Sequence, residues 1–169
     1  GSHLKLYQGI GHPDLACWSQ WRSDTAARAK VIAEWLGGHA PKARAGIDVA
    51  CNVGSLTCAM ARHGFTMRGF DTDPLYVQAA QALAPMVDIG AYGATPIEFQ
   101  LCKDIPEAGT YGRSNEHDFA ICLSLLNHHQ TDGRNEAGSA IFRALCDTSP
   151  IVFLDCPSPG EPVGGSSPY

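Results

Sequence analysis

The chain has 169 residues, 44% hydrophobic and 17% charged, with 12 basic and 17 acidic side chains that leave a net charge of −5. That length suits one domain with a proper core, and the scatter of the few basic residues argues against a broad phosphate-tracking surface, leaving a small acceptor or a short nucleic-acid end. No apolar run approaches a bilayer span and no charged-then-apolar leader is present, so the expectation is a soluble cytoplasmic protein with no membrane contact.

In chain order, Gly1-Ser2-His3 reads as an expression remnant and 4–155 as the domain. Ser23 to Leu36 places apolar residues at Ala26, Ala29, Val31, Ile32, Ala33, Trp35 and Leu36, which predicts an amphipathic helix stopped by Gly37-Gly38. Ala45 to Ala50 is a short apolar run suited to a buried strand that opens into a tight turn, with Leu56 to Ala61 as the next helix. Thr66 to Phe70 is a second strand, and Pro74 to Ala84 a helix begun by Pro74 and ended by Pro85. Ile97 to Leu101 is a third strand, followed by the loop Lys103-Asp104-Ile105-Pro106 and a polar run from Gly109 to Glu116. Asp118 to Leu123 is a fourth strand, with Asn127-His128-His129 just beyond it. Arg134 to Cys146 is a helix with Ala137, Ala140, Ile141, Ala144 and Leu145 on one face, and Ile151 to Leu154 a fifth strand. Alternation at this spacing predicts an α/β fold with a parallel sheet and helices on both faces. The tail, 156–169, is rich in Pro, Gly and Ser and reads as a loop or linker.

Seven cysteines, at 17, 51, 58, 102, 122, 146 and 156, form no Cys-x-x-Cys pair and mostly sit in apolar runs, so reduced core thiols are expected and no metal site. Histidines 12, 39, 63 and 117 read as ordinary surface residues. Trp18, Trp21 and Trp35 read as packing residues rather than a base-stacking platform.

The chemistry concentrates in Asp48-Val49-Ala50-Cys51-Asn52-Val53-Gly54-Ser55-Leu56-Thr57 and Gly69-Phe70-Asp71-Thr72-Asp73-Pro74. Two acidic strand ends separated by a small-residue turn describe a nucleoside cofactor site, because small residues admit a ligand to the backbone and a carboxylate at the second strand end can accept both ribose hydroxyls. A dinucleotide fingerprint needs glycine at the first, third and sixth places of the turn, which here hold Ala50, Asn52 and Ser55. A methyltransferase turn places small residues at the first, third and fifth places, here Ala50, Asn52 and Gly54, so the pattern points to S-adenosylmethionine, although only the last is glycine. A buried strand-turn-helix without a ligand is the plainer alternative.

These residues resemble the Rossmann-like (class I) S-adenosylmethionine-dependent methyltransferases over Tyr7 to about Pro159. Cys51-Asn52-Val53-Gly54-Ser55-Leu56-Thr57, Cys122-Leu123-Ser124-Leu125 and Ile151-Val152-Phe153-Leu154-Asp155-Cys156-Pro157 look most like the phosphate-methylating RNA-capping enzymes and the bacterial polysaccharide chain-terminating methyltransferases. The resemblance implies a three-layer sandwich with strand order 3-2-1-4-5. It also implies that Asp48 and the backbone at Ala50, Cys51, Asn52 and Gly54 face the methionine portion, that Asp71 with Thr72 beside it takes the ribose, and that Asp104 and Ile105 hold the adenine. Leu123 and Ser124 would line the fourth strand's end. Arg22 and Arg28 would hold the cofactor carboxylate, unless each is a solvated surface charge. His128 and His129 are the candidates for a general base, since imidazole titrates near neutrality, with structural packing as the alternative. A phosphate acceptor would need no base, only cations such as Arg134 and Lys103 to position it; the capping enzymes lack a histidine pair at that place.

Methyltransferases of this type add a terminal antiparallel hairpin after the fifth strand, and it is missing from this sequence. The apolar fifth strand is then an edge, and three arrangements compete: the tail covers it, a homodimer forms there, or the chain is a fragment. The expected function is methyl transfer from S-adenosylmethionine to an oxygen of a small metabolite or a phosphate-bearing acceptor. A non-catalytic cofactor-binding or scaffold domain is the alternative, and a nucleotide-sugar or flavin binder lacks a reason for acids at three strand ends.

Overall fold

The computed structural model describes residues 6–8, 20–22, 24–86, 97–123, 125 and 135–155. Two three-residue strands, β1 (Leu6–Gln8) and β2 (Gln20–Arg22), pair in parallel near the start. Neither was legible in the sequence, because three residues are too few to establish a period of two.

Helix α1 (Thr25–His39) buries Thr25, Ala29, Ile32 and Leu36, the single stripe that 3.6 residues per turn allows. It runs past the expected stop. Gly37 and Gly38 are exposed and helical, and the final turn is held by Ala40 N–H donating to the Leu36 carbonyl at 2.8 Å. Trp35 and His39, one turn apart in this last part of the helix, stack with ring centroids 4.5 Å apart, a contact that favours the helical turn despite the poor helix propensity of the two glycines.

The remaining elements are β3 (Ala45–Val49), α2 (Ser55–Arg62), β4 (Thr66–Asp71), α3 (Pro74–Leu83, followed by a 3₁₀ turn), β5 (Ile97–Leu101), β6 (Phe119–Cys122), α4 (Asn135–Thr148) and β7 (Val152–Leu154). The main sheet has five strands in the order β5-β4-β3-β6-β7, every pair parallel, which is the expected 3-2-1-4-5 counted within this sheet. The fold is Rossmann-like α/β.

Alternate residues along the strands supply two cores. Met67, Phe119 and Ile121 face Ala29, Ile32 and Leu36 of α1 and Leu56 and Met60 of α2, while Phe99 joins Val77 and Ala80 of α3. On the opposite face, Ile47, Val49, Phe70, Ala120 and Cys122 meet Ile141 and Leu145 of α4 and Tyr111 from the β5–β6 connection. Tyr111 packs edge-on against Phe70 at 5.2 Å. At the β7 edge, Phe153 meets Trp35 edge-on at 5.4 Å, so Trp35 is a packing residue. His117 is corrected from surface to core: it is 7% exposed, and its Nε2 lies 3.1 Å from the Tyr111 carbonyl, a partner supplied by a loop the sequence could not place.

Candidate functional site

The sheet order reverses direction at β3, so the crevice in which such folds hold ligands is expected at the C-terminal ends of β3 and β4. The turn that leaves β3 lies at that end of the sheet. Ala50, Asn52 and Gly54 have φ of 62°, 53° and 78°, so left-handed residues stand at the first, third and fifth places of the turn. Glycine adopts this conformation freely and asparagine tolerates it, whereas alanine is strained there by about 1–2 kcal/mol. Gly54 is further constrained by packing, because a Cβ there would lie 2.5 Å from the Phe99 ring.

The turn's amide groups are largely engaged within the protein. Cys51 N–H donates to the Phe70 carbonyl at 3.0 Å, Asn52 N–H to Asp71 Oδ2 at 2.7 Å, Val53 N–H to Asn52 Oδ1 at 2.9 Å and Gly54 N–H to the Cys51 carbonyl at 2.9 Å. A pyrophosphate would therefore meet no free row of N–H donors, which is the physical reason a dinucleotide fingerprint does not fit.

Asp71, at the end of β4, is 8% exposed and accepts from Asn52 N–H through one oxygen and from Asp73 N–H at 3.0 Å through the other. Those bonds fix the carboxylate and leave each oxygen a lone pair for a hydroxyl. Thr72 beside it is exposed, and Asp73 caps α3 by accepting from Leu75 N–H at 2.8 Å. Leu101 stands in register with Asp71 on β5. Beyond it Asp104 is exposed and Ile105 is 57% exposed, as Leu101 and Leu75 also are in large part, so apolar side chains face outward along this side of the crevice.

Asp48 has a different position. It is 3% exposed, and Thr57 Oγ1 donates to its Oδ2 at 2.7 Å with the Thr57 N–H adding a second bond. Gly54 precedes α2 and has no side chain to cap it, so Asp48 reaches across from β3 to do so. Burial raises its carboxyl to about 7, the charge of Asp71 adds to the rise, and the Thr57 bonds oppose it. Ser55, the first residue of α2, is 5% exposed and its Oγ has no hydrogen-bond partner among the described residues. Thr57, Ser55 and Phe99 were not picked out from sequence; a threonine and serine in the first helical turn after an acidic strand end is the signal that was there to find.

Arg28 lies between two carboxylates, with Nε 2.7 Å from Asp24 and one terminal nitrogen 3.0 Å from Asp155 at the end of β7. Burial works against its charge, and these two partners more than compensate. It therefore ties α1 to the last strand of the sheet. Leu123 is half-buried against the core beneath α1 and α2. Ser124, His128, His129 and Arg134, and the side chain of Arg22, lie outside the described residues. The site as described thus unites Asp48, Ala50, Cys51, Asn52, Gly54 and Asp71.

Cys51, Cys58 and Cys122 are buried free thiols and Cys102 is half-buried. Burial pushes Cys58 and Cys102 up to about 11 and Cys122 up to about 12, so none is a thiolate nucleophile at neutral pH. No helix among the described residues is long and apolar enough to cross a membrane.

No protein-family model matches the sequence, and no curated protein matches it. Solved structures do. The bifunctional kinase-methyltransferase WbdD is 23% identical with a TM-score of 0.70 over 94% of this chain and 34% of its own. Magnesium protoporphyrin IX methyltransferase (ChlM) from Synechocystis PCC 6803, with bound SAH, is 25% identical with a TM-score of 0.53 over 73% of this chain and 51% of its own. The N-terminal domain of EvdMO1, with SAH bound, is 21% identical with a TM-score of 0.58 over 79% of this chain and 49% of its own. The chain spans about a third of WbdD and about half of the other two. Its fold is that of the class I methyltransferases.

Proposed function

We propose that this domain binds S-adenosylmethionine and transfers its methyl group to an oxygen of a small metabolite or a phosphate-bearing acceptor. The observation that carries the reading is the left-handed alternation at Ala50, Asn52 and Gly54 between two buried acids, Asp48 and Asp71, on a fold whose solved neighbours hold SAH. The residues fit the group. Asp71 keeps acceptor capacity for two ribose hydroxyls, and the orphaned Ser55 Oγ is a buried polar atom awaiting a partner at the start of α2. The outward apolar side chains of Leu101 and Ile105 suit one face of a purine, with Asp104 beside them for an exocyclic amine.

The cofactor supplies an activated methyl on a sulfonium, so the protein's work is to hold donor and acceptor in line. Asp71 orients the ribose, and the small residues of the turn let the ligand approach the backbone. A hydroxyl acceptor calls for a base, for which His128 and His129 stand beyond β6. An already anionic phosphate calls only for cations such as Lys103 and Arg134. The buried free thiols accord with a reducing, cytoplasmic setting.

Calorimetric titration with S-adenosylmethionine and S-adenosylhomocysteine, with NADH as control, tests the cofactor. Asp71→Ala is expected to weaken both nucleoside ligands by about 1–3 kcal/mol, since it deletes the ribose acceptor. Unchanged affinity in that variant places the site elsewhere. Binding without turnover over a panel of hydroxyl and phosphate acceptors favours a scaffold role.

A further inference from the structure

Strand β5 lies at one edge of the main sheet, and of its five residues only Phe99 is buried. The other four are half-buried or exposed, so the strand's contribution to the interior is largely this one ring. Gly69 stands in register with Phe99 on β4, and a Cβ there would lie 2.6 Å from the ring. Gly54, in the turn that leaves β3, has the same relation to it, with a Cβ falling 2.5 Å away. The ring carbon Cε1 is among the nearest atoms at both positions, so two glycines make room for a single edge of one phenyl ring. A ring seated against Cα atoms that carry no side chain rests on backbone, and its place determines how far the turn settles toward the sheet.

Phe99 is itself held by α3. Gln81 Nε2 donates to the Phe99 carbonyl at 3.0 Å, and Val77 and Ala80 pack in the same cluster as the ring. Helix α3 is tied in turn to the acid that ends β4. Asp71 accepts from the N–H of Asp73, the residue that caps α3, and through its other oxygen from the N–H of Asn52 in the turn. The contacts form a closed circuit: turn to Asp71, Asp71 to α3, α3 to Phe99, and Phe99 back to the turn. Resting on the reading of this site as an S-adenosylmethionine site, we propose that Phe99 is its positioning residue. By propping the turn against β4 and α3, it fixes the spacing between the turn backbone and Asp71 at which the nucleoside is held, and it acts through the turn rather than on the ligand. Leucine supplies much of the same apolar volume but lacks the outer carbons Cε1 and Cζ that meet Gly54, so Phe99→Leu separates the prop from the core.

Two measurements on the whole chain test this: amide hydrogen exchange of the turn relative to β3, read without ligand, and calorimetric titration with S-adenosylhomocysteine at a temperature where every variant is folded. Phe65→Leu is the control, because Phe65 is buried to a similar degree but packs on Phe119 in the cluster beneath α1 and α2. Phe99→Leu is expected to speed exchange at Asn52 and Gly54 about tenfold and to weaken the ligand about tenfold, whereas Phe65→Leu lowers overall stability and moves neither. Gln81→Ala changes an exposed residue, is expected to weaken the ligand about threefold, and serves if Phe99→Leu does not fold. Gly54→Ala should cost less affinity in the Phe99→Leu background than in the parent, because the ring carbons its Cβ would meet are gone. Unchanged turn exchange in both Phe99→Leu and Gln81→Ala overturns the proposal. So does faster exchange with affinity within about twofold of the parent, or an equal loss of affinity in Phe65→Leu. A parent chain that binds no S-adenosylhomocysteine overturns the cofactor reading instead, and the exchange data then decide by themselves whether Phe99 sets the turn.

Discussion

The two ends of the central sheet treat their carboxylates differently. At the N-terminal end, Asp118 accepts from the Arg44 and Ala45 N–H groups at 2.6 and 2.9 Å, and Arg68 lies 3.1 Å from Glu98 and 3.6 Å from Glu116. The Arg113 N–H and the neighbouring His117, Arg68 and Arg113 hold the exposed Glu116 below its ordinary range. At the C-terminal end, Asp48 and Asp71 are buried with hydroxyl and amide partners among the described residues, and the backbone between them takes up left-handed residues. One end pairs its carboxylates with cations and backbone N–H groups; the other buries two of them beside a turn with left-handed residues at Ala50, Asn52 and Gly54.

The largest effect that separates the ends is the pH dependence of stability. Folding raises Asp48 from 3.8 to about 7, so the native chain binds this proton more tightly than the unfolded chain. Its contribution therefore falls as pH climbs through that window and levels off above it, by about 4 kcal/mol in all. His117 is lowered by burial and runs the other way, gaining stability with rising pH near and below 6.5. Comparing the parent with Asp48→Asn by urea unfolding from pH 4 to 8 cancels His117, and a difference that does not change with pH would break the contrast.

Gly54→Ala comes next. It places a Cβ against Phe99 and Ala80 at a left-handed residue, and about 2–4 kcal/mol of destabilisation is expected by denaturant unfolding. At the relaxed end, Asp118→Ala removes the acceptor of two N–H groups and is expected to cost about 1–2 kcal/mol without changing ligand affinity in calorimetry. The smallest effect is that of Glu98→Gln, below about 0.5 kcal/mol, because the Glu98 side chain is 56% exposed and Arg68 keeps Glu116. A loss of 2 kcal/mol or more there would mean that the N-terminal end is as finely balanced as the crevice.

The sequence by itself determined the order of strands and helices, because the short apolar run of β3 and the 3.6-residue stripe of α1 are local patterns that survive without their partners. It also located the turn, since its small residues at the first, third and fifth places are the three that take positive φ. Only the tertiary structure decided the rest. Asp48 caps a helix that begins seven residues later, His117 finds the Tyr111 carbonyl, and α1 continues through Gly37 and Gly38 to a turn on which Trp35 and His39 stack. Each of these outcomes depends on what burial brings against a residue, and burial is settled by packing between segments that no local window contains.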